Sequence, residues 1–255
     1  MRNVWIICRK ELRSYFVSPI AYILLALFAI IFGFFFWNAV GIFVYEGIES
    51  QMRGGMFPMN LNEQLIRPLI SNIAVIGLFL IPLISMRLFA EEKRMGTFEL
   101  LATSPVRDFE MILGKWLAAM LLYGGMLLLT AVNFIWLFRY GNPDWKPLAL
   151  AYLGLFLQAG VMLAIGIFIS SLTRNQIIAG AVTFVVCLLL WVIGWVNEYD
   201  STPVARVMAY LSVPTHFESF AKGLLSLKDA VFFVTAIFLG LFLTARSIES
   251  LRWRS

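Results

Sequence analysis

Long apolar runs constrain this chain more than any other feature. Five of them, at 20–40, 69–86, 116–138, 148–172 and 177–196, are long enough to cross a bilayer, and a shorter sixth lies at 230–245. A membrane-spanning helix needs about 20 apolar residues to cross the hydrocarbon core. Lipid offers no partner to backbone N–H and C=O groups, so each run must satisfy its own, as a helix does. The strands of a membrane barrel would alternate apolar and polar residues, and these runs do not. Composition agrees. Charged residues make up 14% of the chain and hydrophobic ones 61%, with a mean hydropathy of +0.85, whereas soluble domains carry about 25% charged residues. The sequence predicts an all-α polytopic membrane protein, a single transmembrane domain over 1–255. Its spans are expected at 19–41, 68–90, 105–138, 147–172, 175–197 and 227–246.

Six crossings put both termini on one side, and roughly two-thirds of the Lys and Arg residues fall there by the positive-inside count. That side is therefore expected to be cytoplasmic, in a cytoplasmic (inner) membrane. The first run lacks a small-x-small cleavage site and reads as a retained helix. A net charge of +5 then reflects topology and anionic lipid, not nucleic acid. Cys8 and Cys187 fall at different depths and cannot pair, since a disulfide holds its Cα atoms within about 7 Å.

Residues 2–17 place Val4, Ile7, Cys8, Leu12, Tyr15 and Phe16 near one helical face, with Arg2, Arg9, Lys10 and Arg13 mostly off it. That pattern predicts an amphipathic helix lying in the inner interface. Ser18–Pro19 restarts the chain as a spanning helix, and Pro82 should disturb the second span. Between spans one and two a mixed outer loop is expected. Between spans five and six, the outer segment 198–226 should hold two short amphipathic helices, one with Val204, Val207, Met208 and Leu211, the other with Phe217, Phe220, Ala221, Leu224 and Leu225.

Chemistry is conspicuously scarce. The chain has no phosphate-binding GxxxxGK[ST] loop, no HExxH, no GxSxG and no CxxC, so nothing in it signals catalysis or ATP binding. The predicted span interiors hold no Asp, Glu, Lys, Arg or His, the groups that ion-driven carriers place there as relays. Asn38, Asn72, Asn133, Gln158 and Thr183 read as interhelical hydrogen-bonding residues. The pairs Gly160/Ala164 and Gly166/Ser170 suggest close helix packing. His216, the only histidine, reads as a hydrogen-bonded interface residue. Met52, Met56 and Met59 on the outer side are soft donors of the kind Cu(I) takes, but methionine is equally a packing residue, and no metal site is expected.

The exception to this blandness is the charged stretch after span two, the coupling loop 91–104. Glu91, Glu92, Lys93 and Arg94 read as the second helix continuing out of the membrane, and Gly96 as its terminator. Thr97 can cap a short new helix with Glu99 in its first turn. Phe98, Leu100 and Leu101 give that helix apolar contacts. Charge mixed with exposed apolar side chains suits a docking surface.

The stretch RLFAEEKRMGTFELLATSPV resembles the loop after the second helix of ABC-2-type permeases, the membrane subunits of a class of ATP-binding-cassette exporters. Glu91, Glu92, Gly96, Thr97, Glu99, Leu100, Leu101, Ser104 and Pro105 carry the likeness. SSLTRNQ (170–176) and the segment SVPTHFESFAKGLLSLKDAVFF are also similar to that family. Nearest in kind are the permeases of gliding-motility and nitrous-oxide-reductase-maturation exporters. The resemblance implies two permease chains, identical or related, forming a pathway above two separate ABC ATPase subunits, with ATP and Mg on those partners and no cofactor or hydrolysis on this chain. It also implies that Glu91 to Arg94 and Gly96 to Leu101, with Arg9, Lys10 and Glu11 of the interfacial helix, meet the ATPase. A non-transporting membrane anchor, or mechanical coupling subunit, would use the same loop.

Overall fold

The computed structural model describes residues 2–52, 60–98, 106–196 and 202–252, and among these there is no strand. Ten α-helices are used below: α1 (Arg2–Val17), α2 (Ile20–Met52), α3 (Arg67–Ser85), α4 (Ala90–Met95), α5 (Asp108–Tyr140), α6 (Trp145–Leu172), α7 (Gln176–Val192), α8 (Pro203–Leu211), α9 (Val213–Ala221) and α10 (Leu227–Arg252). Among the described residues six helices are long and apolar enough to cross a membrane, carried by α2, α3, α5, α6, α7 and α10.

The apolar content of these helices splits into two roles. In the most apolar windows of α3 and α6, 67% and 72% of the residues are buried inside the protein, against 17–33% in the other four. So α3 and α6 form the centre, and α2, α5, α7 and α10 surround it with faces open to lipid. Small residues set the closest approaches. A Cβ at Gly166 would come within 2.1 Å of Ser85 Oγ, and one at Gly240 within 2.8 Å of Ala164 Cβ. The expectation of close packing at Gly160/Ala164 and Gly166/Ser170 therefore holds, with α3 and α10 as the helices packed against them.

Several boundaries differ from the sequence reading. Instead of ending in a loop near 41, α2 runs 33 residues to Met52, about 50 Å at the α-helical rise. Gly41 and Gly47 each cost about 1 kcal/mol in a helix, but the apolar Ile42, Phe43, Val44 and Tyr45 between them contain no breaker. Asn38 and Thr183 donate to carbonyls of their own helices, Phe34 O (2.9 Å) and Ala179 O (2.7 Å), not across helices. Gln158 does reach across, from Nε2 to Ala74 O at 3.5 Å. At the far end, Leu224 and Leu225 lie beyond α9, which stops at Ala221, and both are exposed. The stripe of Val204, Val207, Met208 and Leu211 on α8 is present and exposed. Met56, Met59, Ser104 and Pro105 lie outside the described residues.

Candidate functional site

Helical hydrogen bonding does not run unbroken from α3 into the charged segment. It gives way to a turn at 86–89, and α4 starts afresh at Ala90. Glu91 to Arg94 do prolong the second span, which runs from Asn62 to Met95, but with this turn inside it. A break in apolar surroundings needs partners for the freed backbone groups. Ser170, near the end of α6, supplies them: its Oγ accepts from Phe89 N–H (3.1 Å) and Ala90 N–H (3.0 Å), and donates to Met86 O (3.0 Å). One serine thus caps α4 from another helix, where the α4 N-cap residue, Phe89, has no side chain to do so.

The lower end of α4 follows the sequence reading. Gly96 takes φ +71°, the left-handed conformation that only glycine adopts without strain, and Thr97 N–H closes back on Glu92 O at 3.0 Å. Thr97 Oγ1 also donates to Glu92 O (3.3 Å), so Thr97 finishes α4. The short helix expected to follow, with Glu99, Leu100 and Leu101, lies outside the described residues.

Around α4 the charges are ordered by a residue the sequence reading counted only as topological charge. Lys115 stands about two turns into α5, is 1% exposed, and places Nζ 2.9 Å from Glu11 Oε1 of α1 and 2.9 Å from Glu92 Oε1 of α4. Its remaining face lies over the Phe89 ring, 5.2 Å from the centroid. A single ammonium therefore ties three elements that are up to 104 residues apart in sequence. Its two carboxylates share one positive charge, and Glu92 Oε2 is buried without a partner.

Further contacts brace the same end. Arg87 makes a two-pronged pair with Glu91 (2.8 and 3.2 Å). Tyr15 donates its hydroxyl to Ile84 O (3.0 Å), fixing α1 to the end of α3. Lys93 donates to Ser171 O at the end of α6 and lies over Phe98. Ser171 in turn reaches Ser247 Oγ of α10 at 3.0 Å. Gly114 lets α1 and α5 touch, since a Cβ there would meet Ile7 at 2.8 Å. Asn3 donates to Glu110 Oε2 (3.0 Å). On the outward side, Arg9, Lys10, Arg94, Met95, Gly96 and Thr97 are exposed.

The structure therefore brings Glu11, Glu91, Glu92, Lys93 and Phe98 into one braced cluster and leaves Arg9, Lys10 and Arg94 as its exposed rim. Lys115, Ser170 and Arg87 complete it, and sequence reasoning missed them. The one available signal was a lysine abutting the third apolar run.

The opposite end is built differently. His216 of α9 sits 2.7 Å from Asp229 Oδ1 of α10 through Nδ1, and 2.8 Å from Tyr210 O through Nε2. It is hydrogen-bonded, as the sequence reading expected of an interface residue, and it is also buried.

Two comparisons bear on this arrangement. A sequence model for the family described as "ABC-2 family transporter protein" matches residues 5–237. Two curated relatives, both described as probable multidrug ABC transporter permease YbhR, come from Escherichia coli strain K12 and Escherichia coli O157:H7. Each is 28% identical over 165 residues, which is 64% of this chain. The match covers 43% of each relative, so the chain spans less than half the length of these proteins. The family match reaches from α1, through the braced charged segment, well into α10: the chain belongs to the ABC-2 family of transporter proteins.

Proposed function

We propose that this chain is the membrane-spanning permease subunit of an ATP-driven exporter, working as a pair of permease chains on separate ABC ATPase subunits. The observation that carries the reading is the buried Lys115 held by Glu11 and Glu92. It makes α4 a rigid lever, bonded at once to α1, α5 and, through Ser170 and Lys93, α6. An ATPase pressing on the exposed rim of Arg94, Met95, Gly96 and Thr97 moves all four helices together. The Lys and Arg excess supports placing this end, with both termini, on the cytoplasmic side of the inner membrane. ATP and Mg belong to the partner, and the surrounding lipid covers the apolar faces of α2, α5, α7 and α10.

Purification of the tagged chain in mild detergent, followed by an ATPase assay and site-directed crosslinking, tests this. An ATPase is expected to co-purify and to crosslink to Met95→Cys, and not to Asn142→Cys at the other end. ATP hydrolysis by the chain alone, or crosslinking at Asn142→Cys in place of Met95→Cys, contradicts it.

A further inference from the structure

The end of the bundle away from α4 holds a cavity of about 300 Å³ between α3, the end of α7 and α9. Its most unusual wall residue is Ser212, at the N-cap of α9, where a serine ordinarily accepts an N–H from the first turn. Here it makes no such bond. Pro214, two residues on, has no N–H to give. The hydroxyl instead lies against Gly194, where a Cβ would meet Oγ at 2.5 Å. Ser212 is 1% exposed and its Oγ has no hydrogen-bond partner.

The other polar groups on the wall are mostly donors. Arg67 is held through Nη2 alone, on Glu218 Oε1 at 3.2 Å, and Lys222 reaches the same oxygen at 2.7 Å. Glu218 therefore keeps a cation when Arg67 turns to another acceptor. Thr215 contributes a hydroxyl, and Trp191 and Trp195 contribute indoles, whose N–H can only donate. The space is at the small end for a ligand pocket: it takes a polar head and a short apolar stub, not a whole lipid.

We propose that this cavity binds the anionic head of an amphipathic molecule, with Arg67 and Ser212 on the head and Trp191 and Trp195 against its apolar part. A donor-rich pocket walled by indoles calls for an acceptor group attached to apolar matter. Both an acidic phospholipid and a soluble amphiphilic anion have that chemistry. The site does not depend on the coupling proposed above.

The test uses the whole chain with Cys8→Ala and Cys187→Ala, carrying Ser212→Cys, in phosphatidylcholine nanodiscs. Labelling rates are compared for an anionic reagent (sulfonatoethyl methanethiosulfonate) and a cationic one (the trimethylammonioethyl analogue), each normalised to Asn142→Cys. The anionic reagent is expected to be about fivefold faster, as the net single positive charge of Arg67, Lys222 and Glu218 implies, and Arg67→Gln removes the preference. Dihexanoyl phosphatidylglycerol or decanoate should slow labelling, and dihexanoyl phosphatidylcholine should not. Protection by phosphatidylglycerol alone assigns a lipid head, and protection by decanoate, alone or as well, assigns a soluble amphiphilic anion. Absence of a charge preference, or equal protection by phosphatidylcholine, overturns the proposal. Thr215→Cys, on the same wall, gives the same comparison if Ser212→Cys does not fold.

Discussion

Lys115→Met isolates the interaction on which the braced end depends. The substitution keeps the length of the side chain and removes its charge. Glu11 Oε1 and Glu92 Oε1, each 2.9 Å from the lost nitrogen, then face each other within about 6 Å, a distance at which like charges disfavour joint ionisation. Breaking a buried pair by deleting one partner costs about 3–5 kcal/mol. Both glutamate side chains are 14% exposed, so water offsets part of this and the lower figure, roughly 3 kcal/mol, applies. For a chain of this size that lowers the midpoint by about 6–12 °C, readable in a detergent melt followed by intrinsic tryptophan fluorescence. Replacing the whole cluster, in Glu11→Gln/Lys115→Met/Glu92→Gln, leaves no stranded charge and should recover most of the loss. A single mutant that melts within 2 °C of the parent on the scale of that conversion, or a triple mutant no more stable than the single, refutes the reasoning.

Three further outcomes follow from the same contacts. Ser170→Ala strips the caps from Phe89 N–H and Ala90 N–H; each stranded buried donor costs about 1–3 kcal/mol, so the melt drops and hydrogen exchange at residues 86–95 speeds up. Gly166→Ala pushes a methyl group into Ser85 and should cost about 1–3 kcal/mol by overpacking, with Ser85→Gly in the same chain restoring the melt. The Cys8 thiol, pushed above its ordinary pKa by burial and then by Glu11, and fully buried besides, should react with iodoacetamide at pH 8 far more slowly than free cysteine; comparable rates would contradict its burial on α1.

The sequence was informative wherever one physical rule acts along a continuous stretch. Six spans follow from apolar length, α1 from its helical face, and the stop at Gly96 from the conformational freedom of glycine. It was uninformative wherever a residue's role depends on a partner far along the chain. Lys115 looks like any basic residue flanking a span until Glu11 and Glu92 arrive on either side of it. Ser170 looks like a packing serine until the break at 86–89 presents two N–H groups to it. The length of α2 was misjudged for a related reason: Gly41 and Gly47 are weak breakers, and apolar neighbours outweigh them. Of the ten expected docking residues among those described, five, Glu11, Glu91, Glu92, Lys93 and Phe98, face inward onto this bracing, while Arg9, Lys10, Arg94, Gly96 and Thr97 face out.

The most direct measurement concerns whether α4 transmits motion. Spin labels at Met95→Cys and Asn142→Cys, at the two ends of the bundle, report the distance between them in proteoliposomes that contain the co-purified ATPase. Adding ATP with Mg should change that distance in the parent chain. In Glu92→Gln, where Lys115 loses one of its two carboxylate partners, the ATPase should remain bound and hydrolyse ATP while the distance change is lost. A full distance change in Glu92→Gln would contradict the lever assigned to α4.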